Sequence, residues 1–406
     1  DDPTYWTHHD IALLPNGNVL ITAFETVVLD EFGSCRNADD SINRAPVPQG
    51  RQLDHLIEVK PDYENGAGGE IVWEWHLCDH LGADDPGKWD DSRPQNYNAI
   101  DYHPERDHIL IGCNACNELF IIDHNTTSAE AKGPDGDFIY RWGNPANFGV
   151  SGVGVSGDRV LGGQHTVRFI KSEFGVNLGS DKNKSQRKKA ELNNVGNIIL
   201  YNNRHTACES PGCSAVIEIE PPYDEATNSY TAPAHGVGYE PTGVAVEIEQ
   251  LVDETGPRTF FSPFLSSGQK LPNKKYLIDA GAANPVTEFF ETDDAGSVYW
   301  KYIPPVATFS PGRSPASDWP LGKPDDICML ADASGLPGDP DGAGPLDRAT
   351  QWPFRATRYA EDFKGFEEVD IEDDGPLLTD VTPFPGEEYG PCPMPVRDDD
   401  DDSSDD

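Results

Sequence analysis

The sequence predicts an all-β fold, a β-propeller of four-stranded antiparallel blades, on three observations. Short apolar runs bounded by Gly, Pro, Asn and Asp recur along the 406 residues, which is the pattern of strands joined by turns. These runs group in fours. One unit is also used twice: LPNGNVLI and LPNKKYLI are each followed by an apolar strand and then by GEIVWEWH or GSVYWKYI. Repeated four-strand units joined radially bury their faces against one another, whereas a β-sandwich predicts no such repeat.

In chain order, residues 8–31 read strand, PNG turn, strand, with Asn16-Gly17 as the hairpin signal. LDHLIEVKP and GEIVWEWHL, separated by DYENGAGG, complete the first set. Two long polar insertions, FGSCRNADDSINRAPVPQGRQ and HLGADDPGKWDDSRPQ, are of the kind that shapes a site on one rim of a scaffold. In the second set AIDY and HILIG meet across the turn HPERD, ELFIID follows, and FIYRW supplies the fourth run. TVRFI, NVGNIILYNNR, SAVIEIEPP and GVAVEIEQLV form the third. TFFSPFLSSGQKLPNKKYLIDA and VTEFFETDDAGSVYWKYIPP form the fourth. Beyond Pro305 only FRATRYAEDF (354–363) carries a structured pattern. The expected organisation is a propeller domain over 1–365, a Pro/Gly/Asp-rich extension over 366–397 and a disordered acidic tail over 398–406.

With 71 acidic and 30 basic residues the formal charge is -41, which repels phosphate backbones and excludes nucleic acid as a partner. The same charge keeps a surface solvated in a salty or extracellular medium and attracts cations. The dense basic stretch KNKSQRKKAEL (182–192) reads as an exposed loop. No apolar run is long enough to span a membrane, and the chain opens on Asp1 and Asp2 as a processed protein would.

Eight cysteines form an even set. The close pairs Cys113/Cys116 and Cys208/Cys213 fit a zinc site, a redox pair or local disulfides. Cys113 and Cys116 fall at the junction of two strands and have no His at finger spacing, which favours disulfides and an oxidising compartment. Asn125-Thr-Thr and Asn183-Lys-Ser are glycosylation sequons on loops. Asp339, Asp341 and Asp347 in GDPDGAGPLD have the spacing of a calcium loop, without a clear bidentate Glu.

His8 and His9 precede the strand IALLP and His165 precedes TVRFI, so these imidazoles stand where a propeller's central channel opens. A neutral imidazole there can act as nucleophile or general base.

HHDIALLPNGNVLI, GEIVWEWH, NAIDYHPERDHILI, NELFIIDHNTT, YRWGNP, GGQH, GNIILYNN, SAVIEIEPP, SGQKLPN and FRATRY together resemble the arylsulfotransferase family, over His8 to about Phe363. The resemblance implies a six-bladed propeller, here with the blades upstream of HHDI missing, so that the chain is trimmed, is completed by strands of a partner chain, or forms a propeller of fewer blades. An open sheet edge would then favour a homo-oligomer or filament. It also implies transfer of a sulfuryl group from a phenolic sulfate to another phenol, with no nucleotide donor and no required cofactor, through a sulfated histidine. The family's QH motif falls on His165, the implied nucleophile. Its HD motif falls on His9, the implied sulfate-orienting or acid-base group, with His8 beside it. The segment H-x-N-S/A reads Asn96-Tyr97-Asn98-Ala99, and Asn114 stands where the family places a sulfate-binding arginine. The two replacements define a second expectation, a non-catalytic family member that serves as a structural or interaction subunit.

Overall fold

The computed structural model describes residues 5–31, 33–44, 50–64, 66, 68–82, 88–89, 95–148, 160–171, 194–206, 212–231, 243–253, 255–271, 274–282, 287–302 and 355–357. Among them lie four four-stranded antiparallel sheets. The first consists of β1 (Tyr5–Leu13), β2 (Val19–Val27), β3 (Arg51–Pro61) and β4 (Gly69–His76). The second holds β5 (Tyr97–His103), β6 (His108–Cys113), β7 (Glu118–Asp123) and β8 (Tyr140–Trp142). In the third, β9 (His165–Phe169), β10 (Ile198–Asn202) and β11 (Ala215–Glu220) run in order. The hairpin β12 (Tyr223–Asp224) and β13 (Ser229–Tyr230) then intervenes before β14 (Gly243–Ile248) adds to β11. A second hairpin, β15 (Gln250–Asp253) and β16 (Gly256–Thr259), leads into the fourth sheet of β17 (Ser267–Leu271), β18 (Lys275–Ala280), β19 (Glu288–Asp293) and β20 (Val298–Tyr302).

The first strands of the sheets meet one another: β1 packs on β5, β5 on β9, and β17 on β9. The sheets are therefore blades arranged around an axis, as the repeat predicts. LPNGNVLI and LPNKKYLI occupy the same place in their blades, between first and second strand, and GEIVWEWH and GSVYWKYI both end in the fourth.

Packing explains why the inner blades read as unbroken apolar runs. Ile109 and Ile111 of β6 join the core shared with the first blade, while Leu110 points to the core shared with the third. Ile198 and Leu200 face back to the second blade, and Ile199 and Tyr201 face the fourth. A strand covered on both faces has no polar side to show. Near the axis the approach is close: a Cβ on Gly112 would stand 2.6 Å from Val167 and 3.1 Å from Ala99, so only glycine fits there. The end blades lack a second described neighbour, and Ile11, Leu13, Tyr299 and Trp300 are exposed.

Buried carboxylates lace the inner strands together. Asp10 on β1 accepts from the Ile100 amide of β5 at 3.1 Å, from Arg168 of β9 at 2.6 Å and from Arg355 at 2.7 Å. Asp101 accepts from the Phe169 amide at 2.8 Å and from Lys171 at 2.6 Å. Ala356 donates its amide to Ser267 Oγ of β17 at 3.0 Å. The segment 355–357 thus touches the first strand of the first blade and that of the fourth.

Cys113 and Cys116 form the expected local disulfide, and Cys35 pairs with Cys78, which no spacing had indicated. Cys213 is also disulfide-bonded. Cys208, Asn183, the 182–192 stretch and the candidate calcium ligands Asp339, Asp341 and Asp347 lie outside the described residues. Asn125 is exposed on the loop after β7, as a sequon requires. Among the described residues no helix is long and apolar enough to cross a membrane. The compact unit comprises Asp1–Ile303 with Trp352–Ala360. A second unit, Pro304–Gln351 with Glu361–Asp406, lies outside the described residues.

Candidate functional site

His8 and His9 lie inside β1, and not before it as the sequence suggested, because the strand bulges there. Pairing steps from Thr7↔Ala23 to Ile11↔Ile21, so His8, His9 and Asp10 oppose Thr22 alone, and His9 takes a φ of 52°. A bulge of this kind re-aims side chains next to a site. Two other inner strands break register near their own starts: β5 at Asn98, and β9 after His165, where Thr166 has a φ of 49°.

His9, re-aimed by its bulge, comes within electrostatic reach of His165. His9 keeps an open face to solvent, while the protein packed on the rest of its ring lowers its pKa, and His8 and His165 lower it further. His165 is buried at 7% exposure. Its Nδ1 lies 2.7 Å from Asn203 Oδ1 and 3.1 Å from the Gly163 carbonyl. The Asn203 amide nitrogen donates to the Ser262 carbonyl at 2.9 Å and the Leu265 carbonyl at 3.0 Å, which fixes its oxygen toward His165. With acceptors on that side, the neutral ring carries its proton on Nδ1 and its lone pair on Nε2. Burial lowers the His165 pKa against the pull of these two hydrogen bonds, and Arg204 nearby lowers it further.

Arg204 was not among the sequence candidates. It follows β10, and its Nη1 would stand 3.3 Å from a Cβ on Gly163, with Asn114 Nδ2 at 3.6 Å from the same point. Gly163 has a φ of 61°, so a side chain there would be strained as well as crowded. The chain therefore brings a guanidinium beside Asn114, the position where the sequence reading finds an arginine replaced. Asn114 itself donates to the Gln164 carbonyl at 3.3 Å, which also accepts from the buried Asn98 at 2.9 Å. Gln164 Nε2 donates to the carbonyls of Cys113 at 2.8 Å and Glu118 at 2.7 Å. Asn98, Asn114 and Gln164 thus hold the backbone on which His165 is mounted. Asn96 accepts the Asn114 amide at 2.8 Å through its carbonyl, and its side-chain oxygen is buried without a hydrogen-bond partner among the described residues.

Behind His9 runs a second chain of polar contacts. His8 Nδ1 and His9 Nδ1 are 2.6 Å apart, and His8 Nε2 lies 3.4 Å from Oδ1 of the buried Asp54. Phe24 stacks on the His8 ring at 3.7 Å and holds its plane. Burial raises the Asp54 pKa and His8 opposes that rise. A proton on His8 Nε2, the nitrogen nearer Asp54, leaves His8 Nδ1 to accept from His9 Nδ1–H and puts the His9 lone pair on Nε2.

The lowered pKa values of both histidines set a pH dependence. Each ring is neutral above the ordinary imidazole range and gains its proton only at lower pH than a free histidine. Any activity that needs neutral His9 and His165 is therefore flat through pH 7 and lost on acidification, with the limb below about 6.5. A pH–kcat/KM profile checks this, and a limb above that value contradicts it.

No protein-family model matches the chain, and no curated protein matches it. Among solved structures it is similar to the dihydro-heme d1 dehydrogenase NirN in complex with DHE, at 10% identity and a TM-score of 0.25. That likeness covers 75% of this chain and 57% of NirN, so the chain spans little more than half the length of that protein. It is also similar to the periplasmic gluconolactonase PpgL of Pseudomonas aeruginosa, at 8% identity and a TM-score of 0.20, covering 75% of this chain and 88% of that one.

Proposed function

We propose that this propeller is a secreted or periplasmic arylsulfotransferase-like enzyme, moving a sulfuryl group from an aryl sulfate to a phenolic acceptor through N-sulfohistidine at His165. The observation that carries the reading is the mounting of His165. Its Nδ1 is committed to Asn203 and Gly163, its pKa is lowered, and His9 and Arg204 stand beside it.

In the first half-reaction the Nε2 lone pair of His165 attacks sulfur, the N–S bond forms, and the S–O bond to the aryl group breaks. The electron pair leaves with the phenolate, which takes a proton from solvent. In the second half-reaction His9 Nε2 removes the proton of the acceptor phenol, whose oxygen attacks sulfur. The N–S bond then breaks and its electrons return to His165. Arg204, exposed on the turn after β10, and the half-buried Asn114 amide, both beside Gly163, are the proposed donors to the sulfuryl oxygens. The disulfide Cys35–Cys78 supports an oxidising compartment.

Incubation with 4-nitrophenyl sulfate and phenol, without any nucleotide sulfate, is expected to release 4-nitrophenol and yield phenyl sulfate. In Arg204→Ala the rate is expected to fall ~10²- to 10³-fold, the equivalent of ~3–4 kcal/mol, with partial recovery in Arg204→Lys. No turnover by the wild-type chain contradicts the proposal. The exposed Tyr299 and Trp300 on the outer strand β20 favour the second reading, a member of the same family that assembles with partners and does not catalyse. Inactive protein that sediments as an oligomer would support that reading.

A further inference from the structure

The first blade carries a second cluster of histidines, away from His165. Glu25 on β2, His55 on β3 and His76 on β4 each offer one ligand atom, and these atoms all lie within 4.8 Å of one another. Register places them on one face. His55 pairs directly with Ala23 and with His76, and Glu25 is two residues along from Ala23. All three residues are buried, Glu25 and His55 completely. We propose that Glu25, His55 and His76 bind a divalent transition-metal ion of the zinc type.

Three features support this. Two imidazoles and one carboxylate are a ligand set that zinc takes, with a further position left for water or substrate. Carboxylates stand beside both imidazoles: Glu74, outside the ligand set, can orient His55, while His76 meets its fellow ligand Glu25. His76 Nδ1 lies 2.8 Å from Glu25 Oε1, and His55 Nε2 lies 3.4 Å from Glu74 Oε1. The two rings stack at 4.1 Å and 15°, so their in-plane lone pairs run nearly parallel and one ring must rotate about its side-chain bonds for both to meet one ion. Finally there is a way in. A surface recess lined by Arg36, Asp40, Arg44, Glu74 and Lys132 reaches His76, the one ligand of the three on its wall. Metal entry would displace the proton shared between His76 and Glu25, and that proton leaves to solvent.

The surroundings argue for nitrogen-seeking metals over calcium. Arg44 Nε stands 3.6 Å from Glu25 Oε2, which offsets part of the carboxylate charge that calcium depends on. The insertion carrying Arg44 is fastened over this end of the blade by the Cys35–Cys78 disulfide and by the Val27↔Arg44 bridge. The neighbouring Cys35, Cys78 and Asp79 group is no competitor, because its two sulfurs are joined to each other.

The test uses the whole chain stripped with chelator and titrated with Zn²⁺ in a large excess of Ca²⁺, which saturates the acidic surface. One Zn²⁺ per chain is expected, and Co²⁺ in its place is expected to give visible absorption with exchangeable imidazole N–H resonances from two histidines. His76→Gln and Glu25→Gln are each expected to weaken Zn²⁺ by ~100-fold or more. Glu74→Gln, which only positions His55, is expected to weaken it ~10- to 100-fold. His124→Gln, at a different ion-pair cluster of the second blade, is expected to leave it unchanged. The Co²⁺ spectrum of the unaltered chain decides the matter where a variant fails to fold. Absence of stoichiometric Zn²⁺, displacement by Ca²⁺, or full affinity in His55→Gln/His76→Gln would overturn the proposal.

Discussion

In His165→Asn, sulfuryl transfer is expected to fall by ~10⁴-fold or more, since the residue is proposed to supply the attacking lone pair. The asparagine is small enough for the cavity and keeps a donor for Asn203 Oδ1, so the loss should appear in kcat without unfolding. His9→Asn offers the contrast. His9 is proposed to move protons and not to carry the sulfuryl group, so its removal should cost less, ~10²- to 10⁴-fold, and should distort the pH profile. Steady-state rates with a good and a poor leaving phenol separate the two. Equal losses in both variants would contradict the division of roles.

Asp10→Ala is expected to be the most destabilising single change on the inner strands, by ~3–5 kcal/mol. The buried carboxylate receives the Ile100 amide, Arg168 and Arg355, and truncation removes the acceptor that these three donors share. Asp10→Asn keeps an acceptor and should cost less. Denaturant midpoints with the m-value checked measure both. The same variant tests the join between the first and fourth blades, since Arg355 and Ala356 tie Asp10 to Ser267. Proteolytic cleavage near residue 355 should quicken in Asp10→Ala, and an unchanged digestion pattern would show that this join does not depend on Asp10.

Much of the blade architecture was legible because its causes are local. HILIG, ELFIID and IILY are unbroken apolar runs, as strands covered on both faces must be, and the LPNGNVLI and LPNKKYLI turns mark equivalent places in two blades. The site was legible only in part. His9 and His165 carried a family pattern, yet the bulge that places His9 within β1 depends on the pairing of β1 with β2 and leaves no compositional trace. Arg204 was missed because it reaches Gly163 from the turn after β10, while the sequence comparison looked for a cation at Asn114. Asn203, 38 positions from His165, had no signal beyond its place in the polar NNR turn after a buried strand. Glu25, His55 and His76 sit one to a strand, a spacing that only the sheet register makes meaningful. The Cys35–Cys78 bridge spans 43 positions and joins an insertion to the end of β4, a contact that spacing cannot reveal.

The most direct measurement is to capture the covalent state itself. Brief exposure of the intact chain to an aryl [³⁵S]sulfate without acceptor, followed by alkaline quench and peptide mapping, is expected to leave one label per chain on His165. Addition of a phenol before the quench should discharge it. Label on another residue, or none while aryl sulfate is being consumed, would contradict transfer through this imidazole.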